Sequence, residues 1–269
     1  LAVTCPDKNE LAEDSGVLTD EQLMRYNRQL LVPDFDIAGQ EALQHATVLV
    51  LGLGGLGCPA ALYLAAAGVG RLLLVDGDEV ELSNLQRQVA HGDADIGSNK
   101  AASVAATIAG LNPEVETVVH PVELRAEAIQ PMLAGVQLCV DASDNYPTRF
   151  ELNRACIAAG IPLVSASAVR DEGQLAVFDP HRGGPCYRCL YPSEGEHSAL
   201  SCSESGVLAP VVGVLGALQA MEALKLLADY GTALRGAMLM MDLRNMQIQQ
   251  LQVSPRPECP DCSHLQPGQ

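Results

Sequence analysis

Two sets of residues have types and spacing suited to chemistry. The first is Gly52-x-Gly54-x-x-Gly57, with a further glycine at Gly55. It follows the aliphatic run 48–51 and opens the Ala- and Leu-rich stretch 59–67. A second aliphatic run, 72–75, ends in Asp76. Strand, glycine turn, helix, strand and acid is the order of a nucleotide-binding unit. Glycine lets the turn be tight and lets backbone approach phosphate. The helix N-terminus then presents unpaired N–H groups and a partial positive charge to an anion. Asp76, 19 residues after Gly57, can offer its carboxylate to ribose hydroxyls. A tight turn with no ligand would need the same glycines. The motif also does not separate NAD, FAD and ATP.

Polar groups gather beyond the second strand. Asp78, Ser83, Asn84, Arg87, Gln88 and Lys100 follow Asp76 within 24 residues. Open α/β sheets bind ligands at the carboxyl edge of their strands, where surface decoration is the competing explanation. A third apolar run, 136–142, leads into Ser143-Asp144-Asn145. An acid at that place, opposite a glycine turn, is suited to Mg²⁺ over phosphates. It is equally suited to capping the helix that follows, and the two uses are compatible.

The second set is Cys186-x-x-Cys189 with Cys259-x-x-Cys262. Each pair spans one edge of a tetrahedron, and four thiolates close the shell of a structural Zn²⁺. Four free thiols or two redox pairs would be the alternative. Cys58, Cys139 and Cys156 have apolar neighbours and read as core. Cys202 falls in the Ser- and Glu-rich stretch 191–206, a long loop in which an exposed thiol can be a nucleophile or an ordinary cysteine.

Elements must position these groups. A capping box, Thr19 with Gln22, opens a helix whose Leu23, Tyr26 and Leu30 share a face. Arg25 and Arg28 stand three apart on another face. Helices are expected near 40–45, 98–111, 126–133, 146–160 and 207–230, and strands at 116–122, 162–169, 174–178, 238–243 and 247–253. Strands 162–169 and 174–178 read as a hairpin turning at 171–173, and the last two as an antiparallel pair at a sheet edge. Gly213 and Gly216 would let another element approach the long helix. The fold class is α/β: a Rossmann-like nucleotide-binding half with a mixed sheet extended by antiparallel strands, plus the Cys₄ zinc site. Residues 1–17 read as a mobile extension. Residues 18–269 read as one domain, with a nucleotide half of about 18–160 and a second half of about 161–269.

At 269 residues and 48% hydrophobic content the chain can bury a large core. A net charge of −17 argues against nucleic acid or an anionic membrane as partner. No basic, apolar leader opens the sequence. The apolar stretches are interrupted by Arg71 or by Pro210 and Gln219. A cytoplasmic location is the expectation, and nine cysteines there suit thiols and metal ligands better than disulfides.

Taken in order, RYNRQ (25–29), GLGGLG (52–57), DGDEVELSNLQRQ (76–88), DASDN (141–145), CYRC (186–189) and CPDC (259–262) resemble one family. It is the activating enzymes of ubiquitin-like sulfur carriers, the adenylyltransferases of the molybdopterin-synthase and thiamine-pathway type. The resemblance covers about residues 18–265, and with no rhodanese segment following it is to the short bacterial form. It implies attack by a carrier's C-terminal Gly-Gly carboxylate on the α-phosphate of ATP, leaving an acyl-adenylate and pyrophosphate. It implies that Gly52 to Gly57 pack on the nucleotide and that Asp76 binds ribose. Asn84, Arg87, Gln88 and Lys100 would contact phosphates, and Asp144 would hold Mg²⁺. Arg28 would reach the phosphates of a second subunit, so a homodimer is implied. Cys202 falls where thiamine-pathway relatives carry a cysteine that joins the carrier covalently, a role adenylylation does not need. A sulfurtransferase is a possible further partner.

Three rival readings remain on the residues. The same chemistry could serve a thiamine, cysteine or tRNA-thiolation carrier. A nicotinamide-dependent oxidoreductase could use the same glycine turn, although Arg87, Lys100 and Asp144 suit ATP and Mg²⁺ better. A non-catalytic scaffold would have no need of Arg28, Lys100 and Asp144 together.

Overall fold

The computed structural model describes residues 18–123, 126–192 and 206–265. The expected extension at 1–17 and Cys202 lie outside them. The parallel strands are β1 (Thr47–Leu51), β2 (Arg71–Val75), β3 (Glu116–His120), β4 (Leu138–Asp141) and β5 (Leu163–Val169). The antiparallel strands are β6 (Glu172–Phe178), β7 (Ala237–Asp242) and β8 (Gln247–Gln252). All eight form one sheet in the order β3-β2-β1-β4-β5-β6-β7-β8.

The period of two in a strand sorts the core into two layers. Val48 and Val50 join Leu72 and Leu74 on one face, while Leu49 and Leu51 join Leu73 and Val75 on the other. Both faces are covered, so the central strands read as unbroken Val/Leu runs. Helices α1 (Asp20–Arg25), α2 (Asn27–Leu30), α3 (Asp36–Gln44), α4 (Gly57–Ala67) and α5 (Lys100–Leu111) come from the first half. Then come α6 (Ala126–Met132), α7 (Tyr146–Ala159), α8 (Tyr187–Leu190) and α9 (Ala209–Leu227). Leu43, Leu64, Ile108 and Leu215 place α3, α4, α5 and α9 on the first face. Ile129, Phe150 and Tyr187 place α6, α7 and α8 on the second.

By length and composition α9 could cross a membrane. Here it lies on the sheet with Gln219 and Glu222 buried. Gln219 Nε2 donates to the Asp141 carbonyl at 2.7 Å, and Glu222 Oε2 accepts from Leu234 N at 2.8 Å. A Cβ at Gly216 would crowd the Leu56 carbonyl and come within 2.5 Å of Pro59 Cγ, so this glycine does admit α4. Gly213 has open space around its Cα and plays no such part.

Two local expectations are corrected. The capping box forms, with Thr19 N donating to Gln22 Oε1 at 2.9 Å. The helix it opens breaks at Tyr26, which leaves helical geometry with ψ 6. Tyr26 is drawn into the core, and its hydroxyl accepts from Asn112 Nδ2 at 2.9 Å. Arg25 and Arg28 therefore sit on separate short helices: Arg25 lies 3.8 Å from Glu21, and Arg28 is exposed. The hairpin turns at Arg170-Asp171, because Val169 already pairs with Glu172. Arg170 takes the left-handed conformation, φ 58, that a two-residue turn requires.

Candidate active site

A cleft of about 1170 Å³ opens at the carboxyl ends of β1, β2, β4 and β5. The glycine turn forms its floor. Gly52 has φ +83, and a Cβ there would lie 2.8 Å from the Ala142 carbonyl oxygen. A Cβ at Gly57 would overlap the Gly52 carbonyl, so this glycine serves the turn-to-helix packing and does not line the cleft. Gly55 receives Val212 of α9. Gly54 faces the cleft with only Gln88 nearby, 3.5 Å from where a Cβ would stand. No side chain caps the N-terminus of α4, which leaves its first N–H groups to an anion.

Asp76 is tied to this turn. Oδ2 accepts from Leu53 N at 2.6 Å and Oδ1 from Asp78 N at 2.9 Å. Burial pushes its carboxyl above the ordinary range despite those two donors. The acid therefore locks the glycine turn to the end of β2, besides facing the cleft.

The predicted polar residues converge. Asn84, Gln88 and Lys100 are buried in the wall and Arg87 is half-buried beside them. Lys100 Nζ sits 2.7 Å from Asp78 Oδ2, and Arg87 Nη1 donates to the Ser83 carbonyl at 3.0 Å. The buried Gln88 Oε1 has no protein partner. Asp144 lines the opposite side and is exposed to the cleft. The cap of α7 is Asn145, whose Oδ1 accepts from Thr148 N at 3.0 Å, so Asp144 is not used as a cap.

Sequence reasoning did not identify Arg149, which is buried at the cleft wall one turn into α7. Its only sequence signal is its place, shortly after the Ser143-Asp144-Asn145 acid turn. Burial alone would lower its pKa; the Asp141 carboxylate and the Tyr187 and Tyr191 phenols outweigh this and raise it. Arg28 is not brought to the cleft of its own chain.

The cleft is not a basic pocket. Arg87, Lys100 and Arg149 line it together with Asp76, Asp78, Glu79, Glu81, Glu123 and Asp144. A polyphosphate entering it would need backbone N–H donors, a divalent cation or an added cation from elsewhere.

Cys186, Cys189, Cys259 and Cys262 form a buried cluster. The packing of α8 on the C-terminal segment sets Sγ separations of 3.8 Å (186–189), 3.6 Å (186–259) and 3.5 Å (189–262). A tetrahedron of sulfurs at ~2.3 Å from Zn²⁺ has edges of roughly 3.8 Å, so the donor set fits that ion. Cys189 Sγ also accepts from Arg256 N at 3.3 Å. Hydrogen bonds from Cys186 and Arg256 N hold the Cys189 thiol well below its ordinary range. Cys58, Cys139 and Cys156 are buried, as expected of core cysteines.

A second hollow of about 640 Å³ lies at the other end of the sheet. Its Arg235 already pairs with Asp179 at 2.9 Å, and His181 bonds the Ile157 carbonyl at 2.7 Å. The convergence of predicted groups favours the first cleft.

The chain matches the ThiF family over residues 26–261. It is 46% identical over 245 residues to the molybdopterin-synthase adenylyltransferase of Salmonella typhimurium, covering 91% of this chain and 98% of that protein. It is 48% identical over 249 residues to the mouse "Adenylyltransferase and sulfurtransferase MOCS3", covering 92% of this chain and 54% of the longer relative. Among solved structures, E. coli MccB with a MccA variant superposes with a TM-score of 0.79 at 22% identity, over 93% of this chain and 76% of that one. That likeness concerns the fold. With the family matched across nearly its whole length, and with the glycine turn, the acid-lined cleft and the cysteine cluster in place, this chain belongs to the ThiF family.

Proposed function

We propose that this chain adenylylates the C-terminal glycine of a small ubiquitin-like sulfur-carrier protein with ATP, releasing pyrophosphate. One observation carries the reading: Gly54, Asp76, Asn84, Arg87, Gln88, Lys100 and Asp144 share one cleft. The kinship with molybdopterin-synthase adenylyltransferases gives it its substrate class. A carrier of the molybdopterin-synthase small-subunit type is favoured over thiamine, cysteine or tRNA-thiolation carriers on the same ground.

The carrier carboxylate attacks the α-phosphorus, the bond from that phosphorus to the bridging oxygen breaks, and pyrophosphate leaves with the electron pair. A carboxylate is already a nucleophile, so no general base is required. The protein brings two anions together and stabilises charge on phosphate oxygens. Asp76 binds the ribose while it clamps the glycine turn. Asn84, Arg87, Gln88 and Lys100 hold phosphate oxygens, Lys100 by exchanging Asp78 for phosphate. Asp144 holds Mg²⁺, which when bound neutralises polyphosphate charge and the leaving group. The four cysteines hold Zn²⁺ with no open position, a structural role. Arg28 acts on the cleft of a second copy in a homodimer. A sulfurtransferase is a further partner in this reading, since the mouse relative joins both activities in its name.

The test is ATP–pyrophosphate exchange with and without a carrier ending in Gly-Gly. Exchange that requires the carrier is expected. Carrier-independent NAD(H) turnover with no exchange would favour the oxidoreductase reading instead.

A further inference from the structure

Arg149 is a buried guanidinium with a particular set of contacts. Its Nη2 donates to the Ser143 carbonyl and, at 3.2 Å, to the Ala166 carbonyl. It thereby ties the turn after β4 to the neighbouring β5. Its Nε lies 3.8 Å from Asp141 Oδ2, yet makes no hydrogen bond. The Asp141 carboxylate is already held by Ser143 N at 3.0 Å, Ser143 Oγ at 2.6 Å and Ser165 Oγ at 2.6 Å. A buried charge with an unmade hydrogen bond is a poor way to stabilise a fold, since apolar packing of the same volume often does as well. A local task for the guanidinium is the better account. The residue after Ser143 is Asp144.

On the helix that carries Arg149, the neighbouring Phe150 and Asn153 meet Tyr187, whose buried hydroxyl makes no hydrogen bond among the described residues. Tyr187 directly follows Cys186. Its N–H donates to Asn153 Oδ1 at 2.8 Å, and Asn153 Nδ2 donates to Asp261 Oδ2 at 3.0 Å, between Cys259 and Cys262. Its ring is held edge-on by Phe150 at 5.1 Å and Phe178 at 5.5 Å. A contiguous packed series thus joins the cysteine cluster through Tyr187 to the helix that carries Arg149, and Arg149 to the Ser143 carbonyl and the Asp144 turn.

We propose that Arg149 is a positioning residue that sets the Ser143–Asp144 turn for metal-bound polyphosphate, and that Asn153, bonded to Tyr187 and Asp261, anchors its helix to the four-cysteine centre. The proposal rests on the reading that Asp144 faces Mg²⁺. Mg²⁺ demands near-ideal octahedral geometry, so a carboxylate on a loosened turn loses the ion before the fold is lost. The cysteine centre then does more than tether the C-terminal segment: it sets the tolerance of a turn in the cleft.

The experiment is calorimetric ATP binding by the full chain, once with Mg²⁺ and once with EDTA. Arg149→Lys keeps the charge and removes the fork. It is expected to reduce the Mg²⁺-dependent gain in affinity by about tenfold or more, the scale of lost outer-shell support for a metal ligand, with affinity in EDTA unchanged. Asp144→Asn should abolish that gain, and adding Arg149→Lys to it should cause no further loss. Asn153→Ala, which cuts the bonds to Tyr187 N and Asp261, should shift the response in the same direction with zinc content retained. Equal losses with and without Mg²⁺, or additive losses in the double variant, would overturn the role of Arg149. An unaltered Mg²⁺ response in Asn153→Ala would overturn the link to the cysteines. Wild-type protein that binds no ATP would overturn the adenylylation reading, and this proposal with it.

Discussion

At the scale of single residues, the four glycines of the turn do different work, and the difference can be measured. A Cβ at Gly57 collides with the Gly52 carbonyl, backbone against backbone, where nothing can yield. Gly57→Ala is expected to destabilise the fold by more than about 2 kcal/mol, by the cost of forced overpacking, read as a fall in the denaturation midpoint. A Cβ at Gly54 meets nothing closer than Gln88 Nε2 at 3.5 Å. Gly54→Ala should keep its melting temperature and lose ATP affinity, because the added methyl enters the space left for phosphate. Equal stability losses for the two would show that Gly54 also serves the fold. Asp76 belongs to the same scale. Its two backbone contacts make it part of the glycine turn, a role beyond the ribose binding expected of it.

At the scale of elements, the cysteine pairs make the strongest prediction. Freshly purified, unchelated protein should carry about one Zn²⁺ per chain, the stoichiometry of a closed four-thiolate site; metal analysis finding none would falsify it. Removing the ion should lower stability by several kcal/mol, on the order of structural zinc elsewhere. This centre was legible because CxxC fixes two ligands within one turn of chain. The β-α-β core was legible for a similar reason: buried parallel strands are short unbroken runs such as Leu72 to Val75. What stayed hidden depended on distant partners. The break at Tyr26 follows from Asn112, far along the sequence, which draws the ring out of helical register. The turn at Arg170 was misplaced because Gly173 looked like the turn residue, whereas it lies in β6 under Leu215. Arg149 was hidden because a buried arginine and a surface arginine look alike in a sequence. Arg28 was singled out only through the family resemblance, and its exposure in one chain neither supplies nor excludes a second chain's cleft.

At the scale of the whole molecule, charge is the governing quantity. A chain of net charge −17 presents ATP with a cleft holding three cationic and six carboxylate side chains among its described lining. On the proposed function, the missing cation would come from outside, as Mg²⁺ and as Arg28 of another copy. Arg28→Ala and Asp144→Asn proteins should each be inactive in carrier-dependent exchange, the first by about 10³-fold if it behaves as other arginine fingers do. Mixed and allowed to exchange subunits, they should regain activity, because one site of each mixed dimer has both groups. Mixtures no better than the single variants would show that Arg28 does not act across subunits. The cysteine cluster has a consequence in time as well as in space. Its two halves are 73 residues apart in the chain. A ribosome adding about 5–20 residues per second needs roughly 4–15 s to supply the second half after the first. Throughout that interval the first cysteine pair is without its complement, and the bond from Asn153 of the cleft helix to Asp261 can form only once the second pair has emerged.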